Sequence, residues 1–114
     1  MSGRRSTLRV SAIATKTDLA NVLPTVDVVY QTRIQRERFA TASEYEESKG
    51  VYVLDRPAFD RLKVDAIVLH PLPRVDEISP EVDADPRAAY FRQAANGVFI
   101  RMALLSAVIE TASA

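Results

Sequence analysis

The sequence predicts an α/β fold: a partial doubly wound parallel sheet with flanking helices and one long C-terminal helix. Three observations carry this. Val26 to Tyr30 is a short, nearly continuous apolar run, the pattern of a strand buried on both faces of a parallel sheet, and Ala66 to Leu69 is a second strongly apolar strand. The stretch between them reads as short helices, and alternation of strands with helices is the mark of a parallel sheet. From Asp85 onward, apolar residues recur at helical spacing.

Taken in order, Thr7 to Ala14 alternates weakly and reads as a short strand. Asp18 to Leu23 reads as a helical turn stopped by Pro24. Val26 to Tyr30 is the stronger strand. Ser43 to Lys49 reads as a helix with Ser43 as cap, acids in its first turns and Gly50 at its end. Val51 to Leu54 is a short apolar run. Asp55 to Lys63 is a further short helix, with Asp55 as cap and Pro57 in its first turn. Ala66 to Leu69 is the second strong strand. A long loop from His70 to Asp85 holds Pro71, Pro73 and Pro80.

The last helix is expected to be capped by Asp85, to open on Pro86 and to run to about Ile109. Phe91, Ala94/Ala95, Val98, Met102, Leu105 and Ile109 form its stripe, and Ile100, Leu104 and Val108 add apolar surface on other faces. Such a helix wants burial on more than one side. Tyr90, Phe91 and Phe99 read as core packing. With three or four strands in all, the sheet is expected to have open edges and a partly uncovered face.

Composition narrows the function. Of 114 residues, 47% are hydrophobic and 26% charged, ordinary for a globular domain. Fifteen basic side chains balance fifteen acidic ones, which argues against nucleic acid or an anionic membrane surface as the main partner. The absence of cysteine removes disulfides, thiolate metal sites and a cysteine nucleophile. With a single histidine there is no zinc site and no hydrolase triad, and the three glycines form no phosphate loop. No uninterrupted apolar run is long enough to span a bilayer. No cofactor or metal is expected.

Two segments carry chemistry, and each follows a strand, where open α/β sheets bind ligands. The first is Tyr30-Gln-Thr-Arg-Ile-Gln-Arg-Glu-Arg-Phe39. If extended, it turns Arg33 and Gln35 to one side and Ile34 to the other. The arginine fork matches a carboxylate with two parallel hydrogen bonds, and Glu37 lies where it can hold Arg33. On the residues alone, Arg33, Arg36, Glu37 and Arg38 read first as a solvated charged surface. The second segment is Val68-Leu-His-Pro-Leu-Pro-Arg-Val-Asp-Glu77. Its prolines stiffen the turn and remove two donors, leaving the carbonyls of Pro71 and Leu72 to face a substrate. The Leu72–Pro73 bond is a candidate for cis. His70 reads as structural. Arg74, Asp76 and Glu77 pair with one another or reach back to the first segment, with Asp76 to Arg33 as a support contact.

These runs, together with Val82-Asp-Ala-Asp-Pro-Arg-Ala-Ala-Tyr-Phe-Arg-Gln-Ala-Ala-Asn-Gly97, resemble the aspartate carbamoyltransferase family in order and spacing. The resemblance covers about Asp18 to Ile109, so residues 18–114 are expected to be part of an aspartate/ornithine carbamoyltransferase Asp/Orn-binding domain, with residues 1–17 unassigned. The sister enzyme, ornithine carbamoyltransferase, typically has cysteine after the histidine of the second motif; Pro71 stands there, which favours aspartate.

The resemblance implies transfer of the carbamoyl group of carbamoyl phosphate to the amine of L-aspartate, an early step of pyrimidine synthesis, without cofactor. It implies that Arg33 and Gln35 bind the aspartate side-chain carboxylate. The carbonyls of Pro71 and Leu72 would accept hydrogen bonds from the carbamoyl amide and the amine, and Glu37 and Asp76 would orient Arg33. The family's first domain carries a Ser-Thr-Arg-Thr phosphate-binding motif that is not in this sequence, and a neighbouring subunit completes the site. In the family the final helix packs back against that first domain. The chain is therefore expected to be a fragment that is inactive alone, a cytoplasmic protein (an organelle is also compatible) that belongs to a homotrimer or hetero-assembly when complete. The alternative is a non-catalytic interaction module that docks on a full-length carbamoyltransferase.

Overall fold

The structure, a computed structural model, describes residues 12–33, 40–48 and 52–113. Residues 12–14, the described end of the first expected strand, are exposed and form no strand.

Short helices open the described chain. Helix α1 (Leu19–Val22) is capped by Asp18, whose carboxylate accepts the Asn21 N–H at 3.3 Å. A 3-10 turn, Leu23–Thr25, follows, with Pro24 ending regular helix. Strand β1 is Val28–Tyr30 and helix α2 is Ala42–Ser48. The cap of α2 is the Thr41 hydroxyl, which accepts the Glu44 N–H, rather than Ser43, because the helix starts two residues earlier than a Ser43 cap implies. Helix α3 (Arg56–Arg61) has the expected cap: the Asp55 carboxylate accepts the Ala58 N–H at 3.0 Å. Strand β2 is Ile67–Leu69.

The strands pair in parallel, Val28 with Ile67, Val29 with Val68 and Tyr30 with Leu69. Gln31 N–H donates to the Leu69 carbonyl at 2.9 Å, carrying the ladder past both strand ends. On its other side β2 makes a parallel bridge at Val68 to Ala88, and Leu54 bridges Ile78 in the same sense. Thus β2 is central, and Val68 is fully buried.

The core lies between β2, α3 and the loop that follows β2. Leu54, Phe59, Val68, Ile78, Val82 and Tyr90 have no exposed surface. At about 1.5–3 kcal/mol for each large apolar side chain, this cluster is the main source of stability.

Three expectations change. Strand β1 is not buried on both faces: Val28 is 50% and Tyr30 55% exposed, because only Val29 turns onto the core and the face that Val28 and Tyr30 share, with Ile67 of β2, is open. Helix α4 is Tyr90–Ser113, so Asp85 is not its cap and Pro86 not its first residue. Residues 83–89 form turns instead, with Asp85 held by the guanidinium groups of Arg87 at 2.8 Å and Arg56 at 3.0 Å. Of the aromatic set, only Tyr90 is core; Phe91 is 51% and Phe99 69% exposed.

From Phe91 on, the apolar stripe and the additional faces of α4 are all uncovered, as are Ile100, Met102, Leu104, Leu105, Val108 and Ile109. With 24 residues and a mean hydropathy of 1.3 over its most apolar window, α4 is long and apolar enough to cross a membrane by length and composition. The sequence expectation that no apolar run is long enough to span a bilayer missed this, since Arg92, Arg101 and Glu110 interrupt the helix at wide intervals.

Candidate functional site at the carboxyl edge of the sheet

Because Tyr30 and Leu69 are register partners, the segments after β1 and β2 leave the sheet side by side. Neighbouring strands lie about 4.8 Å apart. Arg33 is three residues beyond Tyr30, and Leu72 three beyond Leu69, both on the same edge. Arg33 is exposed, and so are Pro71 and Asp76, while Leu72 is half-buried against the core. Gln35 and Glu37 lie outside the described residues.

The second segment has an unusual backbone. The Leu72–Pro73 peptide is cis, as its sequence suggested, and Leu72 sits at φ 49°. An L-residue enters this left-handed region at a cost of about 1–2 kcal/mol. What holds it there is His70. The Leu72 N–H donates to His70 Nδ1 at 2.7 Å, so Nδ1 is an acceptor and the imidazole is neutral with its proton on Nε2. Nε2 then donates to the Glu77 carboxylate at 2.6 Å. His70 is 1% exposed and Glu77 7%, so this pair is interior.

Burial pushes the Glu77 carboxyl up. The backbone N–H groups of Glu77 and Val75 and the hydrogen bond from His70 more than offset it, and the group lies below the usual carboxylate range. The Val75 N–H reaches the Glu77 carboxylate at 3.1 Å. No hydrogen bond among the described residues ends on the carbonyl of Pro71 or Leu72, so both retain their acceptor capacity.

Gln93 of α4 ties the segments together. Its side-chain carbonyl accepts the His70 N–H at 2.9 Å, and its amide donates to the Tyr30 hydroxyl at 3.4 Å. Sequence reasoning missed Gln93, since one amide on a helix gives no local signal of what lies opposite.

Arg74 pairs neither with Asp76 nor with Glu77. It forms a two-pronged pair with Asp83, which also accepts the Tyr90 hydroxyl, and it stacks 5.7 Å from the Tyr90 ring centre. The Arg74 hydrogen bond holds the Asp83 carboxyl below its usual range against the opposing effect of burial. Burial first, and then the hydrogen bond to Asp83 and its charge, push the Tyr90 hydroxyl to about 12. This cluster fastens the loop to the start of α4.

A groove of about 540 Å³ between β2 and α4, lined by Ile67, Leu69, Gln93, Asn96 and Ile100 among others, contains none of Arg33, Pro71 and Leu72. It is the uncovered face of the sheet. Among the described residues no group of histidine and acidic side chains is placed to hold a metal ion.

Residues 6–108 match the family model for the aspartate/ornithine carbamoyltransferase Asp/Orn binding domain. The chain belongs to this family. The match takes in α4 from Tyr90 to Val108. The chain is 57% identical over 93 residues to the chloroplastic aspartate carbamoyltransferase of Arabidopsis thaliana, covering 81% of this chain and 24% of that protein. The catalytic subunit of M. jannaschii aspartate transcarbamoylase has a TM-score of 0.72 at 45% identity, over 83% of this chain and 30% of that one. The Trypanosoma cruzi aspartate transcarbamoylase in complex with N-(phosphonacetyl)-L-aspartic acid has a TM-score of 0.67 at 49% identity, over 75% and 27%. The chain thus spans about a quarter to a third of the length of these relatives.

Proposed function

We propose that this chain supplies the aspartate-holding part of an aspartate carbamoyltransferase, which moves the carbamoyl group of carbamoyl phosphate to the amine of L-aspartate, giving N-carbamoyl-L-aspartate and phosphate in pyrimidine biosynthesis. One observation carries the reading. In a member of this family, parallel pairing sets the Arg33 segment beside two acceptor carbonyls at the carboxyl edge of the sheet.

The chemistry follows from the groups. Arg33, with Gln35, binds the side-chain carboxylate of aspartate through the planar guanidinium fork. Glu37 and Asp76 orient Arg33. The Pro71 and Leu72 carbonyls accept N–H bonds from the carbamoyl amide and the attacking amine. They fix the amine's remaining lone pair on the carbamoyl carbon and hold the reactants together. The negative charge that develops on the carbamoyl oxygen needs donors, and these groups are acceptors or are committed to the carboxylate. Those donors and the phosphate site belong to a first domain, so carbamoyl phosphate binds only with it. The working protein is a homotrimer or hetero-assembly. It acts in the cytoplasm, or in an organelle of the kind its chloroplastic plant relatives are named for.

The test is a carbamoyl-transfer assay with labelled aspartate, paired with calorimetric titration of aspartate. The chain alone is expected to bind aspartate weakly and make no carbamoyl-aspartate. Arg33→Ala is expected to weaken binding by about 10- to 100-fold, the value of a charged hydrogen bond. Turnover by the chain alone would overturn the assignment of the donors to another domain.

The bare apolar surface of α4 favours a second reading, a non-catalytic module that docks on a full-length carbamoyltransferase. Failure to bind a hydrophobic-surface dye, together with a monomeric mass in solution, would count against it.

A further inference from the structure

The conformation of Leu72 has a specific cause within the fold. Its N–H is taken by His70 Nδ1, and that nitrogen is an acceptor only while Nε2 keeps the ring proton. Glu77 enforces this tautomer, since its carboxylate accepts the Nε2 proton at 2.6 Å and is itself held by the Val75 N–H. His70 is fixed from its other side, where its own N–H donates to Gln93. The buried histidine therefore converts a carboxylate inside the loop into a set backbone angle at its surface.

From this geometry we infer that His70 is a positioning residue for the ligand site: through the Leu72 N–H it holds Leu72 in the left-handed region and so aims the Pro71 and Leu72 carbonyls. The ligand role rests on the proposed aspartate reading; the conformational role does not. The groups that face the imidazole are Glu77 and the Leu72 N–H, with Gln93 at the His70 backbone. Neutral imidazole is the form that does the work, because imidazolium has no acceptor at Nδ1.

Two substitutions separate positioning from plain filling of the core. In His70→Asn the side-chain carbonyl stands near the place of Nδ1 and keeps the acceptor for Leu72, but cannot reach Glu77. In His70→Gln the amide reaches toward Glu77 but places no acceptor at Nδ1. A structural role through Glu77 favours Gln; a positioning role through Leu72 favours Asn.

The experiment is nuclear magnetic resonance on the full chain, read three ways. The imidazole nitrogen spectrum of the unsubstituted chain is expected to show the Nε2–H tautomer; a proton on Nδ1 overturns the inference and needs no variant. Exchange of the Leu72 amide is expected to be slow in the unsubstituted chain and in His70→Asn, and about tenfold or more faster in His70→Gln. Equal protection in both variants, or better protection in Gln, overturns it. Aspartate is then titrated. Weaker binding in Gln than in Asn extends the positioning role to the ligand, and equal binding overturns that extension. If aspartate does not bind the unsubstituted chain, the aspartate reading fails, while tautomer and exchange still decide the role of His70.

Discussion

Residues 54–90 and residues 91–113 make opposite use of their apolar side chains. In the first region most of the large ones turn inward: Leu54, Phe59, Val68, Ile78, Val82 and Tyr90 are wholly buried, with Val64, Ile67 and Val75 the exposed exceptions, and its buried charges are paired. In the second no residue is buried, although the sequence there is the more apolar. The difference lies in what each region has to pack against. Sheet, α3 and loop enclose one another. Helix α4 meets the sheet only through its first turns, where Gln93 reaches His70 and Tyr30. Hydrophobicity sets how much a residue gains by burial, and the partner decides whether that gain is realised.

Truncations should show this contrast most strongly. Phe59→Ala is expected to cost about 3–5 kcal/mol, while Leu104→Ala on the bare face of α4 should change stability by no more than about 0.5 kcal/mol. Chemical denaturation measures both, and a large loss at Leu104 would mean that α4 is covered in solution. Next in size is the Asp85 cluster. Asp85→Ala leaves Arg87 and Arg56 without their shared acceptor and should cost about 1.5–3 kcal/mol.

Acid sharpens the same comparison. The hydrogen bond from Arg87, followed by others that outweigh burial, holds the Asp85 carboxyl far below its usual range, and Asp83 and Glu77 are lowered too. Lowered folded-state values mean stability that is present above the unfolded carboxylate value, about 4, and lost as pH falls through the folded values. Denaturation midpoints should therefore drop below about pH 4, and Asp85→Asn should flatten part of that drop. At the alkaline end Tyr90, raised to about 12, removes stability between its ordinary 10.0 and that value. The smallest effect is expected from Ile109→Glu, which should leave unfolding unchanged and reduce self-association in sedimentation.

How much was legible in the sequence follows the same division. Both strands, their parallel sense, the Asp55 cap and the cis Leu72–Pro73 bond rest on local patterns and were readable. The exposure of β1 was not, because an apolar run reports what a strand prefers rather than which neighbours it has. Asp85 and Pro86 have the chemistry of a helix start, but Arg87 and Arg56 claim the carboxylate and delay α4 to Tyr90. The placement of Arg33, Pro71 and Leu72 just beyond the strand ends was readable. Their support was not: His70 read as structural, and its bond to Leu72, the Glu77 pairing and the Gln93 bridge depend on contacts across the fold.

The central claim is that the two strand-end segments form one ligand site. Titrating the isotopically labelled chain with aspartate while following backbone amides tests it most directly. The account predicts saturable shifts at Arg33 and Leu72 with one common dissociation constant, lost together in Arg33→Ala. Shifts confined to other surfaces, or at Leu72 alone and unchanged in Arg33→Ala, would contradict it.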